Sequence, residues 1–249
     1  MKKLLAFDLD DTLNIAKTPL TEEMADIFAK LLDKYQVCVI SGQKYEEFLR
    51  QVLVPLGTQS HDRLKNLHFM VAQGTQYYKF DGKEWEMVYS FPLTDEQVKK
   101  IDVALETAAR ELGLWTDNPT GEINENRISQ VTFSALGQAA DSKEKYAWDP
   151  DHKKREMIVK RAKELAPEFD FEIGGTTSIN VFSPGTNKTF GMKKLMQKTG
   201  LAKDEILYFG DMVQPGGNDY PVVQMGIDTI AVQRWQDTAY ALRGILGVS

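Results

Sequence analysis

The sequence has only one cysteine, Cys38, among its 249 residues. A single thiol excludes an intrachain disulfide. Cys38 lies inside the apolar run 37–40, and buried cysteines of this kind behave as small hydrophobic side chains. We therefore expect Cys38 to belong to the core.

Long apolar runs are also missing from the chain. The first apolar stretch, residues 4–7, is followed at once by acidic residues and is too short for a signal peptide. No other run approaches the length of about 20 residues that a transmembrane helix needs. We therefore expect a soluble cytoplasmic protein without a membrane partner.

The chain has no excess of positive charge. It carries 30 Lys and Arg against 36 Asp and Glu, a formal net charge of -6. Nucleic acids and anionic membranes are themselves negatively charged, so this balance argues against both as partners. Any site for a phosphate would have to be locally basic.

Short apolar runs alternate with helical patterns at both ends of the chain, which is long enough for a sizeable core in one or two domains. Strands are predicted at residues 4–7, 36–40, 68–72, 205–209 and 228–232. Helices are predicted from residue 21 and at residues 45–53, 188–199 and 236–246. This alternation predicts an α/β fold with a Rossmann-like parallel sheet, built from residues 1–90 and 184–249.

The block between these two parts, residues 91–183, mixes strands and helices without the same alternation. Helices are predicted at residues 95–112 and 153–165, and strands at residues 129–134, 169–173 and 178–182. A hairpin with an Asp81-Gly82 turn precedes the block. We expect residues 91–183 to form a separate α+β domain inserted into the parallel-sheet domain.

Polar residues follow three of the predicted strands of the parallel sheet. Asp8 and Asp10 come after the first strand, Ser41-Gly42 after the second, and Gly210-Asp211 after the strand at 205–209. Open α/β sheets bind ligands at the carboxyl ends of their strands. Asp8 and Asp10 are two positions apart, so we expect their carboxylates to project together at the end of the strand. Two such carboxylates repel each other unless a cation lies between them, which favours a Mg²⁺ site; the alternative is an acidic turn.

The order of these groups resembles the haloacid dehalogenase (HAD) superfamily of phosphotransferases, in subfamily IIB with its α/β cap of the Cof type. The matching segments are Asp8-Leu9-Asp10-Asp11-Thr12, Ile40-Ser41-Gly42, Lys188, and Gly210-Asp211 with Asn218-Asp219. The fourth segment continues as Pro215-Gly216-Gly217-Asn218-Asp219, which is similar to eukaryotic-type phosphomannomutases. Gly174-Gly175 followed by Ser178-Ile179-Asn180-Val181-Phe182 also resembles a cap segment of that family.

The resemblance implies a role for each of these residues. Asp8 attacks the phosphoryl group, and Asp10 donates and accepts the proton of the leaving and attacking oxygens. Mg²⁺ is implied as the cofactor, held by Asp8, the Asp10 backbone carbonyl and Asp211. Ser41, Gly42 and Lys188 would hold the phosphoryl oxygens, and Lys188 also counts as a catalytic residue. Asn218 and Asp219 would belong to the same phosphate-binding group and would orient the metal waters and Lys188. Loop capping by Ser41 and Asn218, and a solvated helix position for Lys188, are the alternatives.

The cap is the region in which the chain departs most from phosphomannomutases. Arg127 matches an arginine of their sugar-phosphate site, and Ser178 lies in the matching cap segment. Gln138 and Lys145 stand where the family has arginines, Asn180 where it has an aspartate, and Lys17 where it has an early-loop arginine. Lysine does not bind phosphate in a bidentate manner, and glutamine supplies no charge. Lys143, Lys153 and Lys154 are further cap cations, alternatively a solvated face.

A weakened second phosphate site favours water as the acceptor. The first hypothesis is therefore a Mg²⁺-dependent phosphatase that acts on a sugar phosphate or a similar small metabolite. The alternative is a phosphohexomutase that interconverts hexose 1- and 6-phosphates, and a third reading is a binding module without catalysis. The expected assembly is a monomer or a homodimer formed through the cap.

Overall fold

The computed structural model describes residues 1–248. The strands are β1 (Leu4–Phe7), β2 (Gln36–Ile40), β3 (Leu67–Val71), β4 (Gln76–Phe80), β5 (Trp85–Ser90), β6 (Asn124–Asn126), β7 (Gln130–Ser134), β8 (Asp170–Gly174), β9 (Ser178–Phe182), β10 (Ile206–Gly210) and β11 (Asp228–Ala231). The α-helices are α1 (Glu22–Leu31), α2 (Tyr45–Phe48), α3 (Val54–Leu56), α4 (His61–Lys65), α5 (Asp95–Glu111), α6 (Ser142–Trp148), α7 (Lys153–Leu165), α8 (Lys188–Thr199), α9 (Tyr220–Gln224) and α10 (Trp235–Val248).

The chain divides into two compact units. The core unit contains Met1–Ser90 and Asn187–Ser249, and the insert unit contains Phe91–Thr186. The sequence placed the return to the core at residue 184, three positions before Asn187. Within the described residues, no helix has the length and the apolar composition that crossing a bilayer requires.

The core unit is built on a seven-stranded sheet in the order β11-β10-β1-β2-β3-β4-β5. β11, β10, β1, β2 and β3 are parallel, and the β4–β5 hairpin continues the sheet in antiparallel orientation. The predicted α/β fold with a parallel, Rossmann-like sheet is confirmed. From β1 the order runs to β2 and β3 on one side and to β10 and β11 on the other, so the topological switch point lies between β1 and β10.

Alternate residues of β1 pack into separate cores on the two faces of the sheet, as the period of two in a strand requires. Leu5 and Phe7 belong to one cluster, and Leu4 and Ala6 belong to the other. Because both faces are covered, the strand is apolar throughout, which is typical of buried parallel strands. Cys38 is fully buried, as expected from its apolar surroundings.

The insert unit has a four-stranded antiparallel sheet in the order β6-β7-β9-β8. Val131, Phe133, Ile179 and Val181 share a core with α5 and α7. The alternating residues Gln130, Thr132 and Asn180 are buried polar side chains, and Asn180 Oδ1 accepts hydrogen bonds from the other two at 2.9 and 3.0 Å. One side of this sheet is therefore apolar and the other carries a hydrogen-bonded polar network.

Several short elements were not predicted from the sequence, namely α4, α6, α9 and β6. They have only three to seven residues, too few for a hydrophobic period to be recognised. The helix predicted at 45–53 also differs, because a π-helical segment at Leu49–Leu53 joins α2 to α3.

A buried polar network lies at the junction of β3 and β4. His68 Nδ1 lies 2.9 Å from the Tyr77 hydroxyl, and His68 Nε2 lies 3.0 Å from Lys79 Nζ and 3.1 Å from Gln36 Oε1. Burial, and secondarily the charge of Lys79, holds the pKa of His68 well below its usual value. The folded protein therefore keeps this imidazole neutral.

This network predicts a pH dependence of stability. Above the unfolded pKa of about 6.5, His68 is neutral in both the folded and the unfolded state. Below it, only the unfolded chain takes up the proton, so the free energy of unfolding decreases as the pH is lowered. We expect wild type to lose about 1.4 kcal/mol more than His68→Gln between about pH 7.5 and 5.5, measured by urea unfolding. His61→Gln, at an exposed histidine, is the control, and an equal loss in wild type and His68→Gln would contradict this account.

Candidate phosphoryl-transfer site

The site begins at the carboxyl ends of β1 and β10, which are neighbours in the sheet. β1 ends at Phe7 and β10 ends at Gly210, so Asp8 and Asp211 are the first residues beyond each strand. The Asp8 backbone N–H donates to Phe209 O at 2.9 Å and keeps the two strands aligned to their ends. The position corresponds to the switch point at which open α/β sheets bind ligands.

Lys188 is the first residue of α8, whose N-cap is Asn187. Its side chain is fully buried, and Nζ donates to Asp8 Oδ1 at 2.5 Å, to Asp219 Oδ1 at 2.6 Å and to the Tyr208 hydroxyl at 3.3 Å. The Tyr208 hydroxyl in turn donates to Asp219 Oδ1 at 2.5 Å. The ammonium therefore joins the end of β1 to the loop after β10.

Two glycines allow α8 to lie this close to the sheet. A Cβ atom on Gly74 would stand 2.3 Å from Gly191 Cα, and one on Gly191 would stand 2.7 Å from Gln73 O. Gly74 also has a φ of +86°, a conformation that favours glycine. Side chains at these two positions would displace the helix that carries Lys188.

Three acids surround the Lys188 ammonium. Asp8, Asp211 and Asp219 each offer a ligand atom within 4.8 Å of the others. Burial, followed by the charges of Asp219 and Asp211, raises the pKa of Asp8 despite Lys188. Burial and Asp219 raise the pKa of Asp211 to about 7. Burial alone would lower the pKa of Lys188, but Asp219 and Asp8 outweigh it and keep the lysine protonated.

This electrostatic arrangement fits a divalent cation. If all three acids were ionised, the three carboxylates and one ammonium would leave a net charge of two negative units, which equals in magnitude the charge that Mg²⁺ brings, and carboxylates are ligands that Mg²⁺ takes in proteins. Asn218 Oδ1 is a buried acceptor with no hydrogen-bond partner in the described part of the chain. The residues present therefore suit a hydrated cation.

Asp10 takes a different direction from Asp8. Its Oδ1 accepts from the Lys17 backbone N–H at 2.7 Å, and its Oδ2 accepts from Gln43 Nε2 at 2.6 Å. Sequence reasoning expected Asp8 and Asp10 to project together; the acid grouped with Asp8 and Asp211 is instead Asp219. The strand ends at Phe7, so its period of two does not govern the direction of Asp10.

Ser41 follows β2 at the same edge of the sheet and is buried. Its Oγ accepts from the Gln43 backbone N–H at 3.3 Å, and its carbonyl accepts from the Gln73 N–H at 2.9 Å. Gly42 lies between Ser41 and Gln43 in the same loop. The hydroxyl therefore has the loop-capping contact that was the alternative for it, and its role toward a phosphate stays a prediction.

The insert unit holds the predicted sugar-site residues within its own hydrogen-bond network. Arg127 is paired with Glu125 at 2.7 Å, and Lys145 Nζ donates to Gln138 O at 2.7 Å. Gln138 Nε2 donates to Thr132 O at 3.0 Å. Asn180 belongs to the polar network on β7 and β9, and Ser178 lies opposite Ser134 in the same pair of strands.

Tyr208, Thr12 and Gln43 contact the acids of the site but were assigned no role from the sequence. Tyr208 donates to Asp219, and the Thr12 hydroxyl donates to Asp211 Oδ1 at 3.4 Å. Tyr208 has a sequence signal, because a buried tyrosine usually finds a hydrogen-bond partner for its hydroxyl. Gln43 has none, since nothing in the motif Ser41-Gly42 indicates a contact with Asp10.

The chain is similar to known proteins over most of its length. The family model described as eukaryotic phosphomannomutase matches residues 24–248. A protein from Caenorhabditis elegans named "Probable phosphomannomutase" is 26% identical over 227 residues, covering 89% of this chain and 86% of that protein.

Solved structures show the same fold at lower identity. A haloacid dehalogenase-like hydrolase from Bacteroides thetaiotaomicron superposes with a TM-score of 0.60 at 15% identity, over 98% of this chain and 100% of the other. The ATP-bound IMP-nucleotidase of Plasmodium falciparum superposes with a TM-score of 0.75 at 18% identity, over 98% of this chain and 60% of the other. At such identities the likeness establishes the fold alone.

Proposed function

The chain belongs to the eukaryotic phosphomannomutase family, and we propose that within this family it is a Mg²⁺-dependent sugar-phosphate phosphatase that works through an aspartyl-phosphate on Asp8. Its family makes it an enzyme of the phosphoryl-transfer type. The observation that carries the proposal is the buried cluster in which Lys188 bonds both Asp8 and Asp219 beside Asp211.

The reaction divides into two displacements at phosphorus. In the first, an Asp8 carboxylate oxygen bonds to the phosphorus, the bond from phosphorus to the sugar oxygen breaks, and Asp10 gives that oxygen a proton. In the second, water gives a proton to Asp10 and bonds to the phosphorus, and the Asp8–phosphorus bond breaks. The products are the dephosphorylated sugar and inorganic phosphate, and both aspartates return to their starting state.

Asp8, Asp211 and the Asp10 carbonyl would hold Mg²⁺, which supplies positive charge to the phosphoryl oxygens. Lys188 adds a fixed positive charge beside the Asp8 carboxylate. A buried, preorganised charge stabilises a phosphoryl transition state more than a solvated charge does. Ser41 and Gly42 complete the proposed phosphate contacts at the end of β2.

The side-chain composition of the insert unit is the reason for proposing that water accepts the phosphoryl group. A mutase must hold a sugar that carries a phosphate at each end, which calls for several cations on its sugar-binding side. Gln138 is neutral and donates to a backbone carbonyl, and the charge of Arg127 is balanced by Glu125. This composition favours release of phosphate over its return to a sugar.

A phosphohexomutase is the second candidate, and two observations favour it. The family model and the curated relatives are phosphomannomutases, and Arg127 is present at the matching position. The two candidates share the chemistry at Asp8 and differ in the acceptor. A screen for phosphate release from hexose 1- and 6-phosphates tests the proposal, and absence of release from every sugar phosphate would contradict it.

The cation requirement gives a separate prediction. We expect a chelator to stop phosphate release and Mg²⁺ to restore it, because Asp8, Asp211 and a phosphate otherwise crowd like charges. At a hundredfold excess over its Kd, Mg²⁺ should add about 2.7 kcal/mol of stability and raise the Tm by about 5–10 °C. Asp211→Asn should remove most of this shift, and full activity in excess chelator would rule the mechanism out.

A further inference from the structure

Both oxygens of the Asp10 carboxylate are held by N–H donors. One donor is the Lys17 backbone N–H, at 2.7 Å from Oδ1, and the other is the Gln43 side-chain amide, at 2.6 Å from Oδ2. A carboxylate oxygen has two lone pairs, so each oxygen keeps one for a further proton or hydrogen bond. The two contacts fix the direction of the carboxyl group without saturating it.

Gln43 is itself held in place by its backbone. The residue is buried, its N–H donates to Ser41 Oγ at 3.3 Å, and its carbonyl accepts from the Ala72 N–H at 3.1 Å. Ser41 and Ala72 directly follow β2 and β3. The side-chain amide therefore projects toward Asp10 from a segment tied to the ends of two central strands.

We propose that Gln43 is a positioning residue that sets the direction of the Asp10 carboxyl group for proton transfer at the phosphoryl site. The inference rests on the proposed function, in which Asp10 is the acid and base. A general acid must lie within hydrogen-bond distance of the oxygen that it protonates, and small displacements of such groups have large effects on rate. Of the two donors, the Gln43 amide is the one that a substitution can remove.

Gln43→Met tests the inference, because methionine has nearly the shape of glutamine but donates no hydrogen bond. We expect kcat for the best sugar phosphate to fall about 10- to 100-fold with KM changed less than about twofold, since Asp10 catalysis is worth about 10²–10⁴-fold. Gln36→Met, at the other end of β2, is the matched control and should keep the wild-type kcat. A wild-type kcat for Gln43→Met would overturn the proposal.

A double-mutant cycle separates positioning from mere structural support. In the Asp10→Ala background, Gln43→Met should cause no further loss, because the group that it positions is gone. Single-turnover phosphorylation by the same sugar phosphate is the assay here, since its leaving oxygen needs the proton that Asp10 donates and a slow single turnover can still be followed to completion. If Gln43→Met costs the same factor in both backgrounds, Gln43 does not act through Asp10 and the inference is wrong.

An NMR measurement tests the contact itself, whatever the activity. The side-chain amide resonance of Gln43, assigned by its loss in Gln43→Met, should move upfield in Asp10→Ala because the charged acceptor is removed. An unmoved resonance would refute the hydrogen bond and with it the inference. Should Gln43→Met fail to fold, Gln43→Glu takes its place, and its carboxylate should lower kcat further by repelling Asp10.

The proposed function and this inference fail in different ways. Turnover that survives Asp8→Asn would overturn the proposed function. Loss of turnover in Asp8→Asn together with a wild-type kcat in Gln43→Met would overturn only the inference about Gln43.

Discussion

Replacing Asp8 with asparagine should abolish turnover while the protein stays folded. The amide cannot form an acyl phosphate, and loss of a covalent nucleophile lowers rates by at least about 10⁴-fold. The fold should tolerate the change, because Lys188 keeps its 2.6 Å contact with Asp219 and one of three crowded carboxylates is removed. Steady-state phosphate release and the Tm of the variant are the two measurements.

The covalent intermediate provides the control for this result. Wild type quenched in acid during turnover should carry a phosphoryl group on the peptide that contains Asp8, detected by mass spectrometry, and Asp8→Asn should carry none. A phosphoryl group on another residue, or release that persists in Asp8→Asn, would contradict the assignment of Asp8 as the nucleophile.

Lys188→Met should have the second largest effect, on both activity and stability. Without the ammonium, kcat should fall about 10²–10³-fold, the usual cost of losing one preorganised charge contact in a transition state. The variant also leaves Asp8 and Asp219 buried without their cation. Removing one partner of a buried ion pair typically costs about 3–5 kcal/mol, which urea unfolding in the absence of Mg²⁺ would measure.

Lys193→Met is the matched control, because it makes the same substitution at an exposed position of the same helix, α8. It should leave kcat unchanged and stability within about 0.5 kcal/mol of wild type. Equal effects of the two substitutions would mean that Lys188 acts through the helix and not through the phosphoryl site.

The sheet and most of its elements could be predicted because their signals are local. Residues 4–7 are apolar throughout, and the structure buries them on both faces of the sheet between β10 and β2. Thr21 has the sequence signature of an N-cap, and its side chain accepts from Met24 N in α1. The same locality placed Asp8, Ser41 and Asp211 at one edge of the sheet, since each directly follows a parallel strand.

The partners of the site residues have no such local signal. The family resemblance implied that Asp219 orients Lys188, but nothing in the sequence indicated that Gln43 contacts Asp10. The contacts of Lys188 with Asp219 and of Asp10 with Gln43 join residues 31 and 33 positions apart. Such contacts depend on how helices and loops approach the sheet, as in the close passage of Gly74 and Gly191. Neither hydrophobic periodicity nor a capping pattern in the sequence indicates how closely a helix or loop approaches the sheet. The direction of the Asp10 side chain is therefore known from the structure alone.

The measurement that tests the central claim most directly is a parallel assay of both possible products from hexose 1-phosphates. The protein would be given Mg²⁺ and a hexose bisphosphate, and free phosphate and hexose 6-phosphate would be measured over the same time course. Loss of one charge-assisted phosphate contact, as at Gln138, costs about 1.5–3 kcal/mol, or one to two decades in bisphosphate affinity. We therefore expect phosphate release to exceed isomerisation, and isomerisation much faster than release would contradict the proposed phosphatase.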